Sequence, residues 1–553
     1  MPDAAERQSV VDARTANFKN IQIVAHELKS RERCSFITML KALMLRQIMM
    51  EDSVTDEEES TLATAGVKRK RSSASFPPSK KIKTDEPLSP LVLKEAQYER
   101  LSLFWYDSQG CIEADTINII EELPLLVLMI WIFEDFPLGM WGYTPIDVWA
   151  EDENKTKVHY CRNEKPMASF QIINRRTFTA DAIRIPAQTA TPPTTATFTT
   201  TPSGQEHELP DQALFLKSSW SETRWLKEPE VVKIAYERAR KYLGTEARSV
   251  TEHLPVIVNF QELAYTSTEI IRHLVKSTTT DGFRIQLWML SMKLLPIHSL
   301  EPIDFWTAYW HTLCCHALLW RIGIAHGDVS LHSLMHKASN KYGVLNDFDV
   351  ASVMDPGARN PNRQGLERTG TLPFMALELL RADGFEGKVP RRYEHELESF
   401  SWILVWVSRC VHNGQESRRP HHLEEWLGRN NVCRIKVEFI ENQDWDPMSP
   451  DYGCLHQLLK TWVTENYQRL FRKRQSTQVA GDEKTDKEHL QALVALCMKC
   501  AEKDPFVAVP IDIGWIDGLA DLNYPAAGHL PTFRPASSMA EAQIPLQRSG
   551  DGP

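Results

Sequence analysis

The residues best suited to chemistry lie in one stretch of the sequence, 324–351, which reads IAHGDVSLHSLMHKASNKYGVLNDFDVA. It contains Asp328, in the triplet HGD, and Asp347, in the triplet DFD that follows a short apolar segment. Two acids of this kind can share one phosphoryl-transfer site, because one orients a hydroxyl nucleophile while the other holds Mg²⁺. The pattern therefore predicts that Asp328 accepts the proton of a substrate hydroxyl and that Asp347 is a metal ligand.

A serine stands where such a site usually has its second metal ligand. Ser333 lies five residues after Asp328, and a neutral hydroxyl is a poorer ligand for a hard cation than a carboxamide oxygen. We assign Ser333 to the second metal position and to contact with the nucleotide. We expect this second metal position to bind its ion weakly.

Three residues nearer the N-terminus are predicted to complete the site. Lys217 ends an apolar run predicted to be a strand, so its charge could reach the phosphates of a nucleotide. Glu228, at the start of a predicted helix, could hold that lysine in place, although Glu230 or Glu237 could fill the same role. No G-x-G-x-x-G motif precedes Lys217, and the nearest match ends at Thr177, which we assign to nucleotide contact.

The composition excludes several classes of protein. The chain has 553 residues, 42% hydrophobic and 25% charged, as expected for a soluble protein of more than one structural unit. The net charge of −10 gives no basis for direct nucleic-acid binding. Ten scattered cysteines form no disulfide framework and favour a reducing compartment. The longest apolar run, 125–133, is too short to span a membrane, and we predict a buried helix there.

Two basic clusters indicate nuclear import. Lys68–Arg71 and Lys80–Lys83 are separated by a Ser/Pro-rich spacer, and paired clusters on an exposed linker are typical of a segment that an import receptor binds. The alternative is a solvated charged linker. We predict a protein of the nucleus and cytoplasm.

The pattern along the chain predicts an α+β protein, strand-rich first and helical later. Predicted strands lie within 167–185, 213–216, 255–260 and 283–290, and predicted helices cover 228–243, 305–319 and most of the chain from 371 to 513. We divide the chain into a helical N-terminal segment with a basic disordered linker, a strand-rich region with a Thr/Pro-rich insertion, a helical region and a disordered tail: 1–87, 88–290 with the insertion at 188–206, 291–520 and 521–553.

Six segments in order resemble the fungal-type protein kinase family, a divergent branch of the eukaryotic protein kinases. They read LSLFWYDSQGCIEADTINIIEELPLLVLMIWIFEDFPLGMWGYTPID (101–147), ALFLKSSW (213–220), HGDVSLHSLM (326–335), LNDFDVA (345–351), RTGTLPFMALELL (368–380) and YEHELESFSWILVW (393–406), and HHLEEWL with Lys436 extends the match. The resemblance covers about residues 88–515. It implies a bilobal protein-kinase-like fold with a strand-rich N-lobe and a helical C-lobe.

The resemblance also implies roles for particular residues. Asp328 would be the catalytic base, Asp347 the Mg²⁺ ligand and Lys217 the lysine that contacts the phosphates. Glu378 would close the activation segment and pair with a distant arginine. Glu396 would stand near the position where kinases use an aspartate to anchor the catalytic loop.

The chain departs from the family pattern near these residues. Gly327 replaces the arginine before the base, which removes the usual partner of a phosphorylated activation loop, so Thr369 and Thr371 are poor candidates for switch phosphosites. Ser330 stands where many Ser/Thr kinases have lysine. Asp349 replaces the glycine of the metal motif and adds charge beside the metal. Weak or altered nucleotide binding is expected from these changes.

Three functions fit this sequence. The first is an ATP-dependent protein kinase that phosphorylates Ser/Thr hydroxyls of protein substrates with Mg²⁺, or Mn²⁺, as cofactor. The second is a catalytically impaired pseudokinase that acts as a binding scaffold. The third is a small-molecule kinase, because an HGD triplet also opens the catalytic loop of aminoglycoside and choline kinase-like enzymes. The segment GTLPFMALE (370–378), which those enzymes lack, favours the protein kinases.

Overall fold

The computed structural model describes residues 31–34, 39–43, 100–134, 148–151, 157–162, 167–168, 177–185, 213–278, 282–355, 358, 360–361, 370–416, 421–428, 431–442, 450–455, 457–465, 485–502 and 505–518. The basic clusters at 68–83, the Thr/Pro-rich segment at 188–206 and the residues from 521 onward lie outside the described residues. The predictions made for them stay predictions.

The described elements mix helix and sheet. The strands, in chain order, are β1 (Arg31–Cys34), β2 (Arg100–Leu101), β3 (Phe104–Tyr106), β4 (Cys111–Ala114), β5 (Ile117–Asn118), β6 (Val148–Glu151), β7 (Lys157–Arg162), β8 (Met167–Ala168), β9 (Phe178–Ile185), β10 (Leu214–Glu222), β11 (Ile257–Leu263), β12 (Arg284–Met292), β13 (Leu295–Pro296), β14 (Ile324–Ala325), β15 (Leu334–His336), β16 (Gly343–Leu345), β17 (Ser352–Val353), β18 (Val411–His412) and β19 (Gln415–Glu416). The labelled α-helices are α1 (Leu123–Glu134), α2 (Glu228–Tyr242), α3 (Arg248–Thr251), α4 (Thr268–Leu274), α5 (Pro302–Arg321), α6 (Ala382–Phe385), α7 (Tyr393–Cys410), α8 (His421–Glu424), α9 (Val432–Glu441), α10 (Asp486–Ala501) and α11 (Trp515–Gly518). Residues 39–43 and 457–465 are also helical. The predicted mixture of helix and strand is confirmed.

The chain divides into two compact units. The first contains the described residues up to 185 together with Ala213–Trp225 and Val258–Ser291, and the second contains Leu226–Ile257 and the described residues from Met292 onward. The helix α2 therefore belongs to the second unit, although we had placed its residues in the strand-rich region.

The first unit contains the largest sheet of the described residues. Its strand order is β11-β12-β10-β9-β7-β6, with β8 pairing with β9. A second sheet has the order β1-β4-β3, in which β1 runs parallel to β4. Burial alternates along the first half of β10, so successive side chains point to opposite faces of its sheet. In the antiparallel pairing of β10 with β9, Lys217 lies directly opposite Thr179.

The second unit is built around α5. Of the 20 residues of α5, 14 are buried, including Trp306, Trp310 and Trp320. This confirms the predicted buried helix. The helix α7 is buried along its whole length and packs into the same apolar core. The hairpin of β15 and β16 lies against α5 so tightly that a Cβ on Gly343 would meet the carbonyl oxygen of Ala308 at 2.0 Å.

The helix α1 differs from its prediction. It forms over Leu123–Glu134, close to the predicted bounds, but Ile132 is its only buried residue among those described. One side packs on a small core that includes Ile112, Ala114 and Ile271, while the other side is exposed. The prediction of a buried helix is therefore wrong for half of its surface. An apolar run shows that a segment is hydrophobic, but burial also depends on how many other elements pack against it.

Among the described residues, no helix combines the length and the apolar character needed to cross a membrane.

Candidate active site

The loop that carries Asp328 is fixed to the loop that carries Asp347. The strand β14 leads directly into His326, whose ring Nε2 lies 2.9 Å from the carbonyl oxygen of Asn346. His326 is fully buried and burial lowers its pKa, so the neutral ring donates this hydrogen bond to the carbonyl. Asp347 follows with a left-handed backbone, φ 67°, a conformation that Asp adopts more readily than most residues. The two sequence triplets are thus joined by one buried histidine.

Asp328 is held by a residue of the segment 370–380. Its Oδ1 accepts hydrogen bonds from the backbone N–H of Thr371 at 2.8 Å and from the Thr371 hydroxyl at 2.9 Å. Burial and the neighbouring carboxylate of Asp347 raise the pKa of Asp328, and the two hydrogen bonds from Thr371 act in the opposite direction. A raised pKa suits a carboxylate that accepts a proton during a reaction.

Glu396 of α7 binds the backbone of the loop that carries Asp328. One carboxylate oxygen accepts from the backbone N–H of His326 at 3.2 Å and the other from that of Gly327 at 2.9 Å. His316 of α5 lies 2.5 Å away through its Nε2. Although burial alone would raise it, hydrogen bonding and charge from His316 and Arg391 lower the pKa of Glu396 to about 2. An ionised carboxylate therefore anchors the loop, at the residue for which the resemblance implied that role.

Gly327 cannot carry a side chain here. Its φ is +85°, and a Cβ would meet the carbonyl oxygen of Val350 at 2.6 Å. The arginine expected before the base is therefore sterically excluded. Arg391, just before α7, supplies a cation from another element: its guanidinium donates to the carbonyl oxygen of Gly327 and lies 3.7 Å from Glu396.

Three carboxylates gather where a metal could be held. Oxygens of Glu228, Asp347 and Asp349 lie within 4.8 Å of one another, and Glu228 also accepts the backbone N–H of Phe348 at 3.0 Å. Carboxylate oxygens are the ligands that Mg²⁺ prefers, and two ligands on opposite sides of one ion lie about 4.2 Å apart. The donor set and its spacing fit a divalent cation. Sequence reasoning placed Asp349 beside the metal but did not bring Glu228 there.

Ser333 is used inside its own turn. Its Oγ donates to the carbonyl oxygen of Ser330 at 2.9 Å and accepts from the Ser330 N–H at 2.8 Å. The side chain is buried at the end of the short 3₁₀ helix Leu331–Ser333. The hydroxyl uses its proton and one of its two lone pairs within the turn, and the ligand role assigned to Ser333 stays a prediction.

Lys217 and Thr177 lie together in the first unit. Lys217 is half-buried in β10, opposite Thr179 of β9, and Thr177 immediately precedes β9. One sheet therefore brings both predicted nucleotide contacts to the same pair of strands. Glu228, Asp328 and Asp347 belong to the second unit, and the predicted pairing of Lys217 with Glu228 stays a prediction.

Glu378 pairs with a nearby arginine. Arg392, 14 residues along the chain, contacts Glu378 and also Glu394 at 2.7 Å. His395 lies 3.0 Å from the same Glu378 oxygen, and the hydrogen bond from His395 is the largest influence lowering the pKa of Glu378 to about 2. The resemblance implied that Glu378 pairs with a distant arginine. The ion pair is present, but the arginine is Arg392, which is close in sequence. The Arg392 guanidinium therefore supplies the positive charge beside the carboxylates of Glu378 and Glu394.

A buried lysine holds the segment between Thr371 and Glu378. Lys436 of α9 is 0% exposed, and its Nζ donates to the carbonyl oxygen of Met375 at 2.8 Å. The Nζ lies 4.3 Å from the ring centre of Trp402 and 5.3 Å from that of Trp426. Burial lowers the pKa of Lys436 to about 7, against the opposing charge of Glu398. The resemblance includes Lys436, but no local pattern in the sequence specifies Met375 as its partner.

A small cleft opens beside Asp328. Its lining includes Asp328, Gly370, Met375, Arg391 and Ser399. All of these residues belong to the second unit. The cleft therefore lies between Asp328 and the residues Gly370 and Met375 of the segment 370–380.

Comparison with known families places this site. Residues 307–408 match the fungal protein kinase family. The match confirms the resemblance predicted from the sequence, and it spans most of α5, the Asp328 and Asp347 loops and most of α7. The chain is therefore kinase-like in the segment that contains the candidate active site.

Solved structures similar to this chain include that of vaccinia related kinase 3. The two share 12% sequence identity with a TM-score of 0.33, over 67% of this chain and 96% of the other. No curated protein matches the sequence at a significant level.

Proposed function

We propose that this chain is an ATP-dependent protein kinase that transfers the γ-phosphoryl group to Ser/Thr hydroxyls of protein substrates. The observation that carries the proposal is the environment of Asp328. Its carboxylate has a raised pKa, it is positioned by Thr371, and its loop is anchored by Glu396 within a segment that matches the fungal protein kinase family. That arrangement is suited to orienting a hydroxyl and accepting its proton.

Each candidate site residue of the second unit would have a role in such a transfer. Asp328 would orient the substrate hydroxyl in the adjacent cleft and take its proton as the new phosphate ester bond forms. Glu228, Asp347 and Asp349 would hold Mg²⁺, which when bound neutralises charge on the ATP phosphates. Glu396 keeps the loop in register, because it engages two consecutive backbone N–H groups. In the first unit, Lys217 and Thr177 would contact the phosphates.

A specific observation favours a second function, that of a nucleotide-independent scaffold. The Ser333 hydroxyl donates its proton to Ser330 and accepts one hydrogen bond from it, which leaves a single lone pair for a metal ion. A protein with one weakened metal position could retain the fold while losing transfer.

The two proposals are separated by one experiment. The purified full chain is incubated with Mg²⁺ or Mn²⁺, labelled ATP and generic protein acceptors, in parallel with Asp328→Asn and Asp347→Ala. Asp383→Asn serves as the matched control, because Asp383 is 75% exposed and lies outside the site. We expect transfer to Ser/Thr in the parent and the control and a loss of at least about a hundredfold in the two site variants. Absence of transfer together with absence of a nucleotide-induced thermal shift would overturn the kinase proposal in favour of the scaffold.

The acceptor distinguishes protein from small-molecule kinases. Transfer to protein acceptors supports the proposal. Transfer confined to small alcohols in the same assay would refute it.

A further inference from the structure

The helix α1 carries an apolar face that stays exposed among the described residues of the first unit. Leu123, Val127, Ile130 and Trp131, with Ile120 just before the helix, are between 47% and 65% exposed. The helical spacing of 3.6 residues per turn puts positions 123, 127, 130 and 131 on one side. Contiguous apolar surface on a folded protein marks an interaction site more often than scattered apolar residues do.

This face is not a core that failed to pack. The opposite side of α1 already contributes Leu125, Leu128, Met129, Ile132 and Phe133 to the small apolar core of the first unit. The start of the helix is also fixed. Asn118 Oδ1 accepts from the N–H of Ile120 at 3.0 Å, and Glu122 accepts from the N–H of Asn118 at 3.0 Å. The exposed face is therefore presented by an anchored helix, which reduces the entropy a partner must overcome on binding.

The rim of the face is acidic. Residues 101–134 contain six Asp or Glu residues and no Lys or Arg. One of the six, Asp107, is neutralised by Arg272 in a buried pair at 2.5 Å. Exposed Glu121 and Glu122 flank one end of α1 and Glu134 the other. Described basic residues of the first unit, such as Lys276, lie on other elements.

The charge at both ends selects among occupants. A second copy packed antiparallel on the same face would bring Glu121 and Glu122 against Glu134, and like charges oppose that contact. An anionic membrane surface would be repelled by the same rim. A helix with its own apolar stripe flanked by Lys or Arg satisfies both the apolar face and the rim.

We propose that the exposed face of α1 is a docking site for a basic amphipathic helix of a partner protein. Leu123, Val127, Ile130 and Trp131 would receive the partner's apolar stripe, and Glu121 and Glu134 would pair with its basic rim. None of these residues is assigned to the candidate active site, and the proposal stands whether or not the chain transfers phosphate.

The test uses the full chain and two labelled helical peptides. The peptides share one leucine stripe, and one is rimmed with lysine while the other is rimmed with glutamate. Fluorescence anisotropy measures their affinities at low and physiological salt. We expect the lysine-rimmed peptide to bind at least about tenfold more tightly, with a smaller ratio at high salt.

Variants locate the site. Val127→Ser combined with Trp131→Ser should reduce binding of the lysine-rimmed peptide at least about tenfold, and Glu121→Lys combined with Glu134→Lys should reverse the preference between peptides. Ile303→Ser is the matched control, because Ile303 is 56% exposed but belongs to the second unit, and it should bind like the parent. Circular dichroism and the melting temperature of each variant should stay at the parent's values, since the changed side chains are exposed.

Three results would overturn the proposal. Equal affinity for the two peptides would remove the role of the acidic rim. A dimer in sedimentation that the Val127/Trp131 variant abolishes would identify a second copy as the occupant. Binding to vesicles of neutral phosphatidylcholine that the same variant abolishes would identify a lipid surface.

Discussion

Thr371 gives both its backbone N–H and its hydroxyl to the same oxygen of Asp328, at 2.8 and 2.9 Å. This double contact fixes the rotation of the proposed base and ties it to the segment 370–380. It also uses the Thr371 hydroxyl within the folded site, which agrees with the expectation that Thr371 is a poor switch phosphosite. The segment is in turn held by Glu398, which accepts the N–H of Leu377 at 2.9 Å.

Removing the Thr371 hydroxyl should move the pH profile of the reaction. Thr371→Val keeps the backbone N–H but loses a hydrogen bond that lowers the pKa of Asp328. The pKa of Asp328 should therefore rise, so the acidic limb of kcat/KM shifts to higher pH, and activity at neutral pH falls about tenfold or more. Thr371→Ser retains the hydroxyl and should keep the parent profile. Identical acidic limbs in Thr371→Val and the parent would show that Thr371 does not set the protonation of Asp328.

Replacing Glu396 with glutamine should weaken the catalytic loop and change acid stability. A carboxamide offers one acceptor oxygen, so a backbone N–H of His326 or Gly327 is left buried without its acceptor, at a cost of about 2–4 kcal/mol in the free energy of unfolding. The pKa of Glu396 is lowered to about 2 from its ordinary 4.5. The stability it contributes is therefore complete above pH 4.5 and is lost as the pH falls towards 2.

Urea unfolding between pH 7 and pH 3 measures both effects. The difference between the parent and Glu396→Gln should be largest at pH 7 and shrink as the pH falls below 4.5. Glu438→Gln is the control, because Glu438 is 48% exposed on α9, and its unfolding curve should follow the parent's. A difference that does not depend on pH would contradict an ionised Glu396.

Much of the local structure follows from the sequence. The helix α2 was predicted from the helical pattern of residues 228–243, and the structure begins it at Glu228 and ends it at Tyr242. The strand containing Lys217 and the buried helix α5 follow from apolar runs of the right length. Asp328 and Asp347 were found as a pair because their spacing along the chain is short and their flanking residues are distinctive.

The contacts that tune the site come from residues far apart in sequence. Thr371 lies 43 residues from Asp328, and Lys436 lies 61 from Met375. Neither residue type carries a local pattern that specifies its partner. The exclusion of a side chain at Gly327 depends on the carbonyl of Val350, which only the folded backbone brings close. Burial of α1 was misjudged for the same reason, since exposure depends on which elements pack beside it.

Gly327→Ala should destabilise the catalytic loop. An alanine at φ +85° is strained, and its Cβ would meet the Val350 carbonyl oxygen at 2.6 Å. The loop must shift, at a cost of about 2 kcal/mol or more in the free energy of unfolding. Thermal unfolding measures the loss. Gly387→Ala is the control, because its φ is also positive but a Cβ there meets nothing within 4 Å. A loss no larger for Gly327→Ala than for Gly387→Ala would contradict the steric argument.

Lys436→Met should change how stability depends on pH above neutrality. Burial lowers the pKa of Lys436 from 10.5 to about 7, so between these two pH values the unfolded chain binds more protons at this site than the folded chain does. The free energy of unfolding therefore gains up to about 1.4 kcal/mol per pH unit from this residue as the pH rises from 7. Methionine has no such proton, so the parent should gain stability relative to Lys436→Met between pH 7 and pH 9. Urea unfolding at matched ionic strength measures this difference, and Lys388→Met, at an exposed lysine, should show none of it. If the free energies of unfolding of the parent and of Lys436→Met changed in parallel with pH, Lys436 would keep an ordinary pKa. In that case the rings of Trp402 and Trp426 would have to stabilise the charged amine as well as water does.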